Sequence, residues 1–340
     1  MELSLENISV NLAGKEILRS INLTIPDGAL VALLGPSGCG KSTLLKTIAG
    51  IISQSRGSIK LGGESADNLP PYKRGTVIVF QDLRLFPHLT ALENIAFPLK
   101  MQGVKRSIYE QKALELLEKV QLLGLEKRKP HEMSGGQIQR IALARALAAE
   151  PKVLLLDEPF SSLDENLRQD MRNLVLKLQR EYKITTILVT HDRQEALSMS
   201  DKIALMMEGS ILQYDTPERV FEYPVSREVA DFFGEAIYVD GVVKENTFYS
   251  DLASFTVTSP NGSYHAMFRP SAVQLGKGSA KNFEICALSY QGEYYNAVLK
   301  HIETGISMTT KIPVPCNFSV GDLIAVTLDE SKTVLFPKVS

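Results

Sequence analysis

Nine residues near the start of the chain have the chemistry of a phosphate cradle. Gly35-Pro36-Ser37-Gly38-Cys39-Gly40-Lys41-Ser42-Thr43 follows an unbroken apolar run, residues 30–34, and opens a helical period over 41–49. Glycines at this spacing let successive backbone N–H groups converge on phosphate oxygens, and a helix start adds its dipole. Lys41 is placed to reach the β- and γ-phosphates, and the Ser42 hydroxyl to ligate Mg2+. A second apolar run, residues 153–156, ends in two acids, Asp157-Glu158. Carboxylates at the end of a buried strand are costly unless something compensates them. Asp157 is therefore expected in a metal shell. Glu158 is expected as the general base that polarises an attacking water. Cys39 lies beside Lys41 and a helix start, both of which lower a thiol's pKa, so it is expected either as a reactive thiol open to alkylation or as an inert small residue of the loop.

A third segment, Met133-Ser134-Gly135-Gly136-Gln137-Ile138-Gln139-Arg140, precedes a helix rich in Ala and Leu. Ser134 is a natural N-cap, and the two glycines allow close backbone approach. With the P-loop and the acid pair, this segment resembles the Leu-Ser-Gly-Gly-Gln signature of ABC ATPases. Met133 for Leu is a volume-conserving exchange.

The resemblance carries further residues with it and implies ATP and Mg2+ as ligands. Gln81, after the apolar run 77–80, resembles the Q-loop glutamine that senses Mg2+ and the attacking water. Ser161-Ser162-Leu163-Asp164 resembles the D-loop, which crosses a dimer interface. His191 resembles the switch histidine on the γ-phosphate. One position departs. By spacing, the adenine-stacking aromatic of the family is replaced by Leu12, which offers apolar contact but no π-face. Phe80-Gln81-Asp82-Leu83-Arg84-Leu85-Phe86-Pro87-His88-Leu89-Thr90 resembles the Q-loop region of importer ATPases for sugars, oxyanions, polyamines and ferric iron. The tail, with Met267-Phe268-Arg269-Pro270, resembles the TOBE regulatory barrel of that group.

The resemblance implies an architecture of partners. One copy of each motif per chain calls for a two-fold homodimer, with each ATP held by one P-loop and the opposing Ser134-Gly135-Gly136-Gln137. Closure on ATP would pull attached transmembrane permease subunits, served by a solute-binding protein. The cargo is expected to be ferric iron, an oxyanion, a phosphonate or a polyamine. Apolar Leu83, Leu85 and Phe86 must bury themselves somewhere: in the core, or in a groove that receives a short helix of the permease.

Elements must position these residues. Strand-like runs at 3–10, 30–34, 77–80, 153–156 and 186–189 alternate with helical periods at 41–49, 110–120, 136–149, 165–181 and 193–199. Several of the strands are unbroken apolar runs, the pattern of burial on both faces. The order predicts an α/β domain over residues 1–234, with a helical subdomain at about 88–150. Beyond 235 come short β-rich runs at 237–243, 254–258, 263–269, 283–289, 294–301, 323–328 and 333–336, with a turn signal at Ser259-Pro260-Asn261-Gly262. Residues 235–340 are expected to form an all-β OB-like or TOBE-like barrel with a regulatory role.

Composition bounds the alternatives. The 340 residues are 44% hydrophobic and 22% charged with net charge −2, so no basic excess marks a nucleic-acid partner. An ABC-type ATPase of DNA repair or of the ribosome is the competing reading. Only about ninety residues separate P-loop from signature, with no sustained heptads, which counts against the long coiled coil of the repair members. No apolar run reaches the roughly 20 residues of a membrane span, and the start has no signal-peptide core. Membrane contact is expected only through the partner, at the cytoplasmic face. Three widely spaced cysteines make neither a disulfide framework nor a zinc pattern.

Overall fold

A computed structural model describes residues 1–276 and 281–338; residues 277–280 and 339–340 of the expected β-rich domain lie outside them. The chain divides into two units, 1–217 and 218–340.

The first unit is built on two sheets. Strands β1 (Leu3–Leu12), β2 (Lys15–Ile25), β4 (Arg56–Leu61) and β5 (Glu64–Ser65) form an antiparallel sheet in the order β2-β1-β4-β5. The central sheet has the order β10-β9-β3-β8-β7-β6, from β3 (Leu30–Leu34), β6 (Thr76–Val79), β7 (Val153–Asp157), β8 (Thr185–Thr190), β9 (Lys202–Met207) and β10 (Ser210–Asp215). Its β9-β3-β8-β7-β6 portion is parallel. Alternation along β7 shows why its run is continuously apolar. Val153 and Leu155 enter the core shared with β1, β2 and α1 (Lys41–Ile48). Leu154 and Leu156 enter the core on the other face. That second core gathers α2 (Ala91–Met101), α3 (Arg106–Lys119), α4 (Gly135–Ala148) and α5 (Glu165–Tyr182). A short α6 (Arg193–Met199) follows β8.

In the second unit, α7 (Pro217–Glu222) and α8 (Arg227–Phe233) lead into ten strands: β11 (Ile237–Lys244), β12 (Thr247–Tyr249), β13 (Ser254–Thr256), β14 (Gly262–Phe268), β15 (Val273–Gly276), β16 (Phe283–Tyr290), β17 (Tyr294–His301), β18 (Ser307–Pro313), β19 (Leu323–Leu328) and β20 (Val334–Pro337). They form two five-stranded sheets, β13-β12-β11-β14-β20 and β15-β19-β16-β17-β18. A single core holds Phe248, Phe268, Ile285 and Leu299 from both.

The division between the two compact units falls at 217/218, ahead of the 234/235 boundary expected from strand texture, because α7 and α8 group with the β-rich strands. The cause is Arg269, 1% exposed, whose guanidinium donates to the carbonyls of Phe221, Ala230, Gly234 and Glu235 and lies 4.5 Å from the Phe221 ring. One buried fork binds α7 and α8 to the β-rich unit, a bond invisible to a reading of strand texture.

Candidate functional site: a nucleotide-hydrolysis centre

The phosphate loop runs from the end of β3 into α1. Gly40 caps that helix at φ 109°, and a Cβ there would come within 2.9 Å of Leu18 and Met206 side-chain carbons. Only glycine meets both demands. Lys41, 5% exposed, donates at 2.8 Å to the carbonyls of Gly35 and Pro36. A phosphate oxygen is a stronger acceptor than either carbonyl, so the ammonium is stored within reach of its expected ligand. Thr43 lies in the first turn of α1, where its carbonyl accepts from Thr47 Oγ1 at 2.8 Å.

The ends of adjacent parallel strands converge beside this loop. Ser42 Oγ donates to Asp157 Oδ1 at 3.0 Å. Burial, with the charge of Glu158 adding to it, holds the Asp157 carboxyl above the usual carboxylate range, against the Ser42 hydrogen bond. A carboxylate so destabilised is relieved by a cation, and its hydroxyl partner is also a hard oxygen donor. These two donors fit Mg2+, which takes one or two protein oxygens and the rest from phosphate and water. Among the described residues no cluster of three or more His, Cys, Asp or Glu is available to cage a metal alone.

Glu158 follows in the left-handed region at φ 47°, its N–H donating to the Val189 carbonyl at 3.1 Å. Such strain in a non-glycine residue at the end of a strand is a common mark of functional sites. It turns the carboxylate toward β8, where His191 Nδ1 lies 3.3 Å from Glu158 Oε2. Gln81 Nε2 donates to Ser161 Oγ at 3.2 Å, and that hydroxyl donates to the Glu158 carbonyl at 3.0 Å. Residues distant in sequence are thus brought to one place: Lys41, Ser42, Gln81, Asp157, Glu158, Ser161 and His191.

The other expected residues stand apart from it. Ser134 and Gln137 form a reciprocal capping box at the start of α4. Gly135 has nothing within 4 Å of a notional Cβ, and Gly136 approaches only Leu167. No hydrogen bond among the described residues joins 134–137 to the phosphate loop. Asp164 caps α5, accepting from the Leu167 N–H at 3.0 Å. Leu12, 38% exposed, ends β1 at a two-residue hairpin turn, Ala13-Gly14, with φ 49° and 81°. Beside the phosphate loop is a cavity of about 440 Å3 lined by Lys15, Glu16, Ile17, Arg19 and Pro36 to Cys39, with no aromatic ring among its walls.

Two alternatives narrow. Cys39 is buried, and burial pushes its thiol up, outweighing the pull of Lys41. It packs in the core as a small apolar group and not as a thiolate. Leu83 and Leu85 pack against the helical core, whereas Phe86 lines a groove of about 300 Å3 with Val77, Phe97, Met101 and Arg145. Reading the sequence alone missed Arg172 and Glu195, both buried behind His191. The available signal was an arginine on the apolar face of α5, beside Met171 and Val175.

A strand–loop–helix phosphate site and an acid pair with a facing histidine, on a parallel sheet, define a P-loop ATPase. Residues 18–161 match the family model described as ABC transporter. The spermidine/putrescine import ATP-binding protein PotA of Mesoplasma florum is 38% identical over 99% of this chain and 98% of its own. The sulfate/thiosulfate import ATP-binding protein CysA 2 of Agrobacterium fabrum is 39% identical over 99% of both. The Fe(3+) ions import ATP-binding protein FbpC of Escherichia coli O157:H7 is 39% identical over 87% of this chain and 86% of its own. A dimeric ATP-binding cassette solved in a post-hydrolysis state with ADP and Pi matches at TM-score 0.57 and 31% identity, covering 63% of this chain and 98% of that one. The chain belongs to the ABC transporter family, as an ATP-hydrolysing subunit of the import type that works through a membrane permease. No helix among the described residues is long and apolar enough to cross a membrane.

Proposed function

We propose that Glu158 is the general base of ATP hydrolysis and His191 its partner at the γ-phosphate. The supporting observation is the 3.3 Å approach of the two side chains at the ends of neighbouring strands, beside a phosphate loop whose Ser42 already touches Asp157. Lys41 and the loop N–H groups bind and orient the triphosphate. Ser42 and Asp157 would hold Mg2+, which would supply positive charge against that developing on the phosphoryl oxygens. Glu158 accepts a proton from the water that attacks the γ-phosphorus. Gln81, tied through Ser161 to the Glu158 carbonyl, links that event to the loop leading to Phe86.

Two chains form a homodimer in this reading. The exposed helix start at Ser134-Gly135-Gly136-Gln137 completes the site of the partner chain, and Asp164 lies at the junction. The groove at Phe86 and Phe97 receives a cytoplasmic helix of the permease, which holds the protein peripherally at the inner face of the membrane. A solute-binding protein delivers a small charged solute: a polyamine, ferric iron or a sulfate-type oxyanion. The β-rich second unit is a TOBE-type regulatory domain.

Glu158→Gln tests the centre. The amide keeps shape but accepts no proton, so ATP affinity is retained while turnover falls by about 100-fold or more. Size-exclusion chromatography with ATP is expected to show a trapped dimer. Turnover close to wild type removes Glu158 from the base role.

A further inference from the structure

His191 is 57% exposed at its side chain, yet the backbone on both sides of it is held from beneath. Thr190 Oγ1 accepts the Asp192 N–H at 2.9 Å, closing a turn across His191. The same hydroxyl donates to Glu195 Oε2 at 2.6 Å. Asp192 Oδ1 accepts the N–H groups of Gln194 and Glu195 at 2.7 and 3.1 Å. Arg172 of α5 closes the network. Its Nη2 donates to Glu195 Oε1 at 3.0 Å and to Asp192 Oδ2 at 3.4 Å, and its Nη1 lies 3.8 Å from Glu165 Oε1.

The setting is expensive for mere packing. Arg172 and Glu195 are 4% and 5% exposed, and Arg172 Nε is buried without a hydrogen-bond partner. Buried ion pairs are often no more stabilising than apolar residues of the same volume, so they are weak devices for stability alone. What this pair does provide is registration. The helix α5 follows the loop from Glu158 to Asp164, and the turn 190–192 follows β8. A guanidinium on the first element, whose Nη2 donates to two carboxylates of the second, fixes one against the other.

We propose that Arg172 and Glu195 are positioning residues that hold His191 in line with Glu158 for hydrolysis. The proposal rests on the reading of His191 as a hydrolytic residue. Arginine is required because one rigid plane works in two directions, Nη2 toward Asp192 and Glu195 and Nη1 toward Glu165 on its own helix; a lysine ammonium keeps the charge but not that spread. Misplacing a reacting group by about 1 Å can cost on the order of 100-fold in rate.

The test is single-turnover ATP hydrolysis by the full chain, with ATP affinity from calorimetry. Arg172→Lys and Glu195→Gln are each made alone and in a His191→Ala background. Each single variant is expected to lower kcat by about 10- to 100-fold while ATP affinity stays within about twofold, the split of a residue acting only on the reacting geometry. In the His191→Ala background the same substitutions are expected to change the residual rate by less than about twofold, since the residue they position has gone. Wild-type turnover in both single variants overturns the proposal. So does a full-sized loss recurring without His191, which would make the pair structural, and this comparison decides even if a variant melts earlier. Wild-type turnover in His191→Ala itself removes the underlying reading of His191, and the proposal with it.

Discussion

By spacing, Leu12 stands where the resemblance to ABC ATPases implies an adenine-stacking aromatic. It stands half exposed at the end of a hairpin strand, and the cavity between β2 and the phosphate loop has aliphatic and charged walls but no ring. Leu12 is not among the residues lining this cavity; an adenine lying against its side chain would meet methyl groups and no π-face. Leu12→Tyr is expected to tighten ATP binding by roughly 0.5–1.5 kcal/mol and to raise preference for ATP over GTP. Competition calorimetry with both nucleotides checks it; an unchanged ratio places the base elsewhere. Cys39 teaches the reverse lesson. Its neighbours in sequence favour a thiolate, but its neighbours in space are Gly35, Leu18-bearing core and the β9 strand, and burial prevails. Proximity to Lys41 was legible in the sequence; the loss of solvent was not.

At the scale of elements, parallel strands and capped helices were readable because their signals are local. The run 153–156 is apolar throughout since both its faces are covered, and Ser134 stands three residues before Gln137, as a capping box requires. Helix α2 was missed because Pro98 lies inside it, where the ring removes a donor and crowds the preceding turn. Its start is secured by a Thr90–Glu93 capping box, and Ile95 and Leu99 bury against the helical core, which outweighs the break. Strands β12 and β15 were missed because strands this short show too few alternations to register a period; β18 was missed although Met308, Thr310 and Ile312 alternate inward, since a buried threonine in that row hides the apolar period. Arg269 is the element-scale device of the second unit. A lysine at that position cannot satisfy Phe221, Ala230 and Glu235 carbonyls together. Arg269→Lys is expected to destabilise that unit by about 1–3 kcal/mol, the cost of orphaned buried acceptors. Scanning calorimetry and limited proteolysis between 217 and 236 measure it; an unaltered profile shows that the carbonyls find other donors.

At the scale of the molecule, the question is how hydrolysis reaches the permease. Phe86 stacks 4.4 Å from Phe97 and 5.6 Å from the Arg145 guanidinium, which itself donates to the carbonyls of Leu83 and Arg84. The loop from Gln81 is therefore clamped at its middle and offers its end to the groove. Phe86→Ser is expected to lower permease-stimulated ATPase activity by about 10-fold or more while the isolated subunit keeps its rate. Leu83→Ser and Leu85→Ser are expected to lower both, with a stability loss of about 1–3 kcal/mol, because these side chains pack on the core. Assays in proteoliposomes and in solution separate the two groups. Equal losses for all three would move the docking site away from this groove.

The sequence by itself pointed to the class of protein: the phosphate loop, the acid pair and the capped signature segment, taken together, resemble an ABC ATPase, and the similarity to importer ATP-binding proteins agrees. It also determined the parallel-sheet architecture, since burial on both faces writes itself into continuous apolar runs. Only the tertiary structure decided which of those residues meet. Glu158 and His191 are brought together by β7 and β8 lying side by side, while the Ser134 and Gln137 side chains of the signature segment bond back to its own backbone. Only the tertiary structure, too, revealed Arg172 and the partners of Arg269, because a buried charge is defined by its surroundings: solvent is excluded and partners arrive from distant segments, and no local pattern of residue types records either.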